Sequence, residues 1–284
     1  MIAHVADFAD GETNELDALF KNPTQLSRIR NEARFGLSEM AGILADIPDG
    51  GRVVEVGSGT GYLIAILARR YPHLKFEAIE PVGEGFQEFE DVLGRIAELS
   101  PNVTLHRAFI ENYMPQPDAP AVDCAFSVNV FEHLNDWRAG VDKTMSLLSQ
   151  SGRAVVICPN YAVPYEPHFG IPVLGTPSLT ARVFAAQIAK VEGEANSSGL
   201  WDSLNFISAP ALARHARKKG YRLTFDKSIM ARMFERFDHD PDFAARQSGV
   251  LSIARLARRI GVGKLLSHAP AFASPYMKAT ISPG

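Results

Sequence analysis

Hydrophobic positions along the chain change their period several times. Leu26, Ile29, Ala33, Leu37, Met40 and Leu44 recur at helical spacing. This predicts a helix over 24–45, with Thr24 after Pro23 as its cap and "PDGG" at 48–51 as its stop. Short apolar runs then alternate with amphipathic stretches. "RVVEV", "KFEAIE", "NVTLHRA", "AVDCAFSVNV" and "GRAVVICPN" read as strands, while "TGYLIAILARRY", "EGFQEFEDVLGRIAEL" and "WRAGVDKTMSLL" read as helices. Near-continuous apolar strands alternating with helices imply a parallel sheet covered on both faces.

The alternation stops after Asn160. Pro159, Pro164, Pro167, Pro172 and Pro177 stiffen the next stretch, which reads as a long ordered loop. Helical signal returns over 178–192, and "SGLWDSLNF" is another break. Ser208 caps a helix through Lys219, and Gly220 ends it. "YRLTFDKSI" reads as a strand, and a helical stretch over about 231–268 is interrupted by "DHDPD", Gly261 and Gly263. "PYMKATI" has strand character. The organisation expected is an N-terminal helical segment (1–50), a core (51–230) with a loop and cap insertion near 160–203, and a helical insertion with the final strand (231–284).

With 284 residues, 46% hydrophobic and 21% charged, the chain has enough apolar material for one large, elaborated domain. A net charge of −3 argues against a general nucleic-acid binder. Cys124 and Cys158 lie in apolar runs and read as small core residues, which suits a reducing cytoplasm. The first residues lack the basic start and apolar core of a signal peptide, and no apolar run nears the roughly 20 residues that span a bilayer. A soluble cytoplasmic protein is expected. After Asp242 six basic residues follow and no acid. On a helix over 248–268, Val250, Ile253, Ala254, Leu256, Ala257 and Ile260 share one side, with Arg255, Arg258 and Arg259 opposite and Leu251 the exception. Two readings stay open: a cap helix with solvated arginines, or peripheral contact with an anionic membrane.

The chemistry concentrates in "VVEVGSGTGYLIAILARR", residues 53–70. A dinucleotide turn has glycines spaced G-x-G-x-x-G. Here Gly57, Gly59 and Gly61 are spaced G-x-G-x-G, and Tyr62 stands where that pattern needs its third glycine. The Gly-Lys-Ser/Thr of a phosphate loop is absent. Glu55, two residues before Gly57, would repel a pyrophosphate and attract an ammonium group. The implied ligand has an amine and a part suited to exposed backbone N–H groups. A second acid, Glu80, follows Gly61 at the end of the next strand. Further on come "FSVNVFEHLNDW", "PNYAVPYEPHFGIP" and "NFISAPALARHARKKGYRL". No metal cluster is visible in the sequence.

"EVGSGTG" with Glu80 and the "EHL" segment resembles the class I S-adenosylmethionine-dependent methyltransferases of the small-molecule type, over about 50–160 and more loosely 204–229. The resemblance implies an α/β fold, a doubly wound Rossmann-like seven-stranded sheet, mostly parallel with an antiparallel last strand ("PYMKATI"), plus helical cap insertions. It also implies that Glu55 serves the cofactor's amino group, that Gly57, Ser58, Gly59 and Gly61 bring backbone to its methionine end, and that Glu80 bridges the ribose hydroxyls. Ala108 and Phe109 would meet the adenine, and Asn129 would face cofactor or acceptor. The expected activity is methyl transfer to an oxygen or nitrogen of a small molecule or saccharide. The alternatives are an NAD(P)-dependent oxidoreductase, against which Tyr62 and Glu55 argue, and a cofactor-binding relative without turnover. His168 and His133 are the candidate catalytic residues. A packed or capping His133, and a proline-stiffened cover carrying His168, are the structural alternatives. Trp137 and the Phe86/Phe89 pair read as core or lid, and Cys158 as a buried strand residue. The sequence sets no oligomeric state.

Overall fold

The computed structural model describes residues 8–81, 87–195, 199–239, 244 and 270–284. The chain opens with a short helix α1 (Asn14–Asp17) and a long helix α2 (Pro23–Leu44). Asn22, rather than Thr24, caps α2. Its Oδ1 accepts from the N–H groups of Thr24 (3.0 Å) and Gln25 (3.2 Å), and Pro23 takes the first helical position, where a missing N–H costs nothing. The alternation predicted next is present: β1 (Arg52–Val56), α3 (Tyr62–Arg70), β2 (Lys75–Ile79), α4 (Gln87–Glu98), β3 (Val103–His106), β4 (Val122–Val128), α5 (Trp137–Leu147) and β5 (Leu148–Pro159).

β5 begins four residues before its predicted start, straight from the end of α5. Gly152 permits this, because a Cβ there would sit 2.6 Å from the carbonyl oxygen of Val122. The predicted loop over 160–178 holds a small antiparallel hairpin, β6 (Tyr165–Glu166) with β7 (Ile171–Pro172). The helical signal after it divides at Phe184 into α6 (Pro177–Val183) and α7 (Ala185–Ala195). Then come α8 (Ala209–Lys219), β8 (Arg222–Phe225), α9 (Ile229–His239) and β9 (Tyr276–Ser282). Ser208 holds the N-cap position of α8 but makes no side-chain cap bond. Asn160 Oδ1 instead accepts from Ala209 N–H at 2.8 Å. Gly220 ends the helix in the left-handed conformation, as predicted.

The seven-stranded sheet has the order β3-β2-β1-β4-β5-β9-β8. β1 pairs in parallel with β2 and β4, and β2 with β3. β9 pairs antiparallel with β8, from Arg222↔Ser282 to Phe225↔Ala279. This is the Rossmann-like architecture expected, with "PYMKATI" as the antiparallel strand. The order reverses beside β1, where ligands bind in open sheets of this kind.

The described residues fall into two compact units. The first comprises the chain up to Val128 with Ala139–Val155. Its core includes Leu37, Met40, Ile64, Leu67, Phe76 and Phe126, all essentially inaccessible. Tyr62 packs edge-on to Phe8 and Phe20 and donates its hydroxyl to Asp17. The second comprises Asn129–Arg138 and Val156–Ser282. Its own small core gathers Phe169, Ile171, Ile188, Trp201 and Leu204. Trp137 is buried there against His215. Both cysteines are buried and free. Among the described residues no helix is long and apolar enough to cross a membrane. The arginine-bearing stretch at 248–268, Phe86 and the side chain of Phe89 fall outside what the structure describes.

Candidate functional sites

In the first unit β1 delivers Glu55 into the protein interior, 3% exposed. Its Oε2 is buried with no hydrogen-bond partner, and burial, then the nearby Glu80, push its carboxyl well above the ordinary range. The turn that follows holds Gly57, Gly59 and Gly61 at φ 73°, 54° and 77°. These left-handed positions are accessible to glycine and costly for residues with a Cβ. The three do different work. An added Cβ at Gly59 meets nothing within 4 Å, so its Cα presents an open face. At Gly61 the same atom would lie 2.7 Å from Leu93 Cδ1, so this glycine lets α4 close on the start of α3. The turn is tied down by Gly57 N–H to the Ile79 carbonyl and Gly61 N–H to the Ser58 carbonyl, each 2.8 Å. Ser58 Oγ is buried with no partner.

Glu80 follows β2, and its Oε2 accepts from Gly59 N–H at 2.8 Å. Burial pushes its pKa up to about 7 against the lowering effect of that bond. Past β3, Ala108 is half-buried and the Phe109 ring is 50% exposed. The unit thus assembles a buried carboxylate lacking a donor, an open backbone face and a second carboxylate beside it. An ammonium group and a ribose diol match those acceptors.

The second unit contains a different cluster. Asn129 takes φ 57°, gives its N–H to Ile157 O at 2.8 Å and receives the Tyr276 hydroxyl on its Oδ1. A single 3₁₀ turn follows, Phe131–His133. Asn205 pins it. Its Nδ2 donates to the carbonyls of Phe131 (2.7 Å) and Leu134 (2.8 Å), and its N–H to that of Glu132 (2.8 Å). The Glu132 side chain is fully buried. His133 Nδ1 lies 2.8 Å from Ser203 Oγ, whose own hydrogen goes to the Leu200 carbonyl at 2.7 Å. The serine oxygen must therefore accept, which puts the imidazole proton on Nδ1 and leaves a lone pair on Nε2. Burial, and then the charge of His168, bring the His133 pKa down to about 3, with Glu166 opposing.

His168 arrives from the β6–β7 hairpin. Its Nδ1 lies 2.6 Å from Oε1 of Glu166, a fully buried carboxylate that also accepts from Tyr161 OH (2.9 Å) and Phe169 N–H (2.8 Å). Burial works to raise Glu166, but the His168 charge and these bonds hold it below its ordinary value. His168 Nε2 is 3.8 Å and His133 Nε2 4.0 Å from Glu132 Oε1. Burial, then Glu132, push the Cys158 thiol far up, which makes it a poor nucleophile.

The family model described as "Methyltransferase domain" matches residues 27–224. This chain belongs to the class I S-adenosylmethionine-dependent methyltransferases. An uncharacterized protein of Mycobacterium tuberculosis is 33% identical over 256 residues, covering 88% of this chain and 85% of its own length. Among solved structures, geranyl diphosphate methyltransferase in complex with GPP and sinefungin has a TM-score of 0.51 at 13% identity, over 98% of this chain and 83% of that one. Phosphoethanolamine N-methyltransferase 2 of Haemonchus contortus has a TM-score of 0.49 at 15% identity. There the match covers 87% of this chain and only about half (52%) of that one. At 13% identity the geranyl diphosphate methyltransferase shows a shared fold alone.

The first unit carries Glu55, the glycine turn and Glu80, the residues named from sequence for the cofactor. Glu55 and Ser58 offer buried oxygens, Gly59 open backbone and Glu80 a second carboxylate, and the Phe109 ring is exposed beyond β3. Asn129 lies with Tyr276 in the second unit. Sequence reasoning gave His133 and His168 as separate catalytic candidates, each beside a structural alternative, and their ring centroids lie 5.2 Å apart. Ser203 and Asn205, which hold His133 and its turn, escaped notice. Nothing in "SLNFIS" marks a hydroxyl or an amide as facing a residue so far back in the chain. Glu166 had a signal, its two-residue spacing from His168.

Proposed function

We propose that this methyltransferase moves a methyl group from S-adenosylmethionine to an oxygen or nitrogen of a small molecule or saccharide. The observation that carries the reading is the meeting of Glu132, His133 and His168, polar groups with lone pairs in a largely buried setting. An acceptor with an O–H or N–H bond needs such groups, because its proton leaves as the methyl arrives. The cofactor, when bound, supplies an electrophilic methyl on a sulfonium.

Glu55 and Glu80 orient the cofactor, and the open face at Gly59 lets backbone approach it. With the cofactor bound, the acceptor's lone pair would form the new C–O or C–N bond while the sulfur kept the old bonding pair. The acceptor's proton would pass to His133 or His168. Most of the acceleration then comes from alignment and desolvation, with proton removal adding typically about 10²–10⁴-fold.

The test is transfer of isotope from methyl-labelled S-adenosylmethionine to a panel of hydroxyl and amine acceptors. His168→Ala should lower turnover by about 10²–10⁴-fold while cofactor affinity stays the same. Full activity of that variant on a true acceptor would return the hairpin to the role of a rigid cover. Cofactor binding without transfer to any acceptor would favour the relative without turnover.

A further inference from the structure

We propose that Glu132, His133 and His168 bind one divalent transition-metal ion, with zinc(II) the best fit, and that its open position receives the acceptor's hydroxyl or amine. The second clause rests on the methyl-transfer reading; the first does not.

The ligand atoms of these three residues lie within 4.8 Å of one another. Hydrogen-bond accounting shows what they present. Ser203 commits its hydrogen to Leu200, so His133 carries its proton on Nδ1. The Glu166 carboxylate accepts from His168 Nδ1. Each imidazole is therefore anchored through Nδ1 and turns Nε2 to the same centre, where Glu132 adds a carboxylate oxygen. His133 Nε2 holds a lone pair there, and any proton that His168 carries on Nε2 would be released when a metal ion binds that nitrogen. A proton serves one pair at a time, and 3.8–4.0 Å exceeds hydrogen-bonding reach. An ion serves all three.

The distances are close to those of a metal site. Ligand atoms about 2.0–2.1 Å from a tetrahedral zinc lie roughly 3.4 Å apart, so each imidazole nitrogen needs to approach Glu132 by about half an ångström and the two nitrogens each other by at most about 1.4 Å. Both histidines retain some exposure, 25% and 17% of the side chain, whereas Glu132 is fully buried. The ion would sit between a fixed carboxylate and two partly accessible rings, which leaves an approach for a further ligand. Two nitrogens and one carboxylate oxygen suit zinc or iron(II) and ill suit magnesium or calcium, which prefer oxygen. The surroundings match too. Metal-bound histidines ordinarily give their other N–H to a carboxylate or another acceptor, and Glu166 and Ser203 hold those places. Two neutral imidazoles and one carboxylate leave net positive charge on a divalent ion, enough to lower the pKa of a hydroxyl that it holds. The hydroxyl proton would then pass to water with no change of oxidation state, and the histidines would act as ligands rather than as bases.

The experiment uses the full-length protein stripped with a chelator and then titrated with zinc(II) against a chromophoric competitor, and separately with cobalt(II). One equivalent of zinc and a visible cobalt absorption typical of low coordination number are expected. His168→Ala and Glu132→Gln should abolish both, and Glu166→Gln and Ser203→Ala should weaken zinc by about 10–100-fold. Glu80→Ala, in the other unit, should leave zinc affinity unchanged while losing S-adenosylhomocysteine. Retained S-adenosylhomocysteine binding by the cluster variants shows that they fold. Failure to take up one equivalent, or uptake unaltered in His168→Ala and Glu132→Gln, overturns the site. Metal uptake without methyl transfer would keep the site and sink the methyl-transfer reading. Undiminished transfer by the stripped protein would remove the ion from the reaction and leave His168 as the base.

Discussion

Glu80 shows how one carboxylate can oppose the bare fold and serve a ligand. Burial raises its pKa to about 7, so between the ordinary carboxylate range and that value the folded chain holds a proton that the unfolded chain has released. Its contribution to stability therefore falls as pH rises through that window. If Glu80 receives the ribose hydroxyls, they donate to its ionised form, and cofactor affinity should move the other way. At pH 6, one unit below a pKa of about 7, roughly a tenth of the groups are ionised, and affinity should be about tenfold below its alkaline limit. Calorimetry at pH 6 and 8 checks this, and Glu80→Gln should bind weakly with a flat profile. A flat profile for the unaltered protein would detach Glu80 from the ribose. The glycines make a paired prediction. Gly59→Val fills the open face and should abolish cofactor binding. Gly61→Ala meets Leu93 and a left-handed φ, and should cost about 1–3 kcal/mol of stability in denaturant melts. The sequence made the turn visible but not this division. Both residues are glycines in one motif, and only the position of Leu93 on α4 tells them apart.

At the scale of elements, single amides fasten distant segments. Asn160 is fully buried at the end of β5. Its Nδ2 donates to the carbonyls of Ala271 (2.9 Å) and Ser274 (2.6 Å), and its Oδ1 accepts from Ala162 (3.2 Å) and Ala209 (2.8 Å). Asn160→Ala leaves these groups without partners and should lower unfolding free energy by about 2–4 kcal/mol. Asn160→Asp should be no better, because a carboxylate would face two carbonyl oxygens. Equal denaturation midpoints for either variant and the parent would show that water replaces the amide without cost. A polar residue in a proline-rich loop looks the same in sequence whether it meets a ligand or the main chain, and its carbonyl partners lie beyond residue 270. The same distance hid the true cap of α8 and the pinning of the 131–133 turn by Asn205. What was legible were the elements whose signal is local: α2 by its spacing, β1 to β5 by apolar runs, and α8 by its terminal glycine.

Across the whole molecule, acid response is a contest between carboxylates. Glu77 on β2 is bonded to Arg52 on β1 (2.9 Å to Nε), to His106 on β3 (3.0 Å) and to Tyr113 (2.8 Å). Burial would raise it, yet His106, Arg52 and Tyr113 together draw its pKa down to about 2. A lowered carboxyl stabilises the fold fully above its unfolded value and loses that effect as pH falls toward the folded one. For Glu77 this amounts to about 3 kcal/mol, released between roughly pH 4.5 and 2. With Glu80 acting in the opposite sense from there up to about 7, the melting temperature of the cofactor-free protein should peak near pH 5. Calorimetric melts from pH 3 to 8 test this, and Glu77→Gln should flatten the acid limb. An unchanged limb would assign acid unfolding to other groups. The sheet order itself has a bearing on biosynthesis. β9 lies between β5 and β8 although residues 226–275 separate it from β8 in the chain. As the polypeptide leaves the ribosome, both neighbours emerge first, each with an unpaired edge that invites wrong partners. Nascent chains stalled after Phe225 should then be cut readily near β5 and β8, while the Glu55 turn, flanked by strands already made, resists the protease.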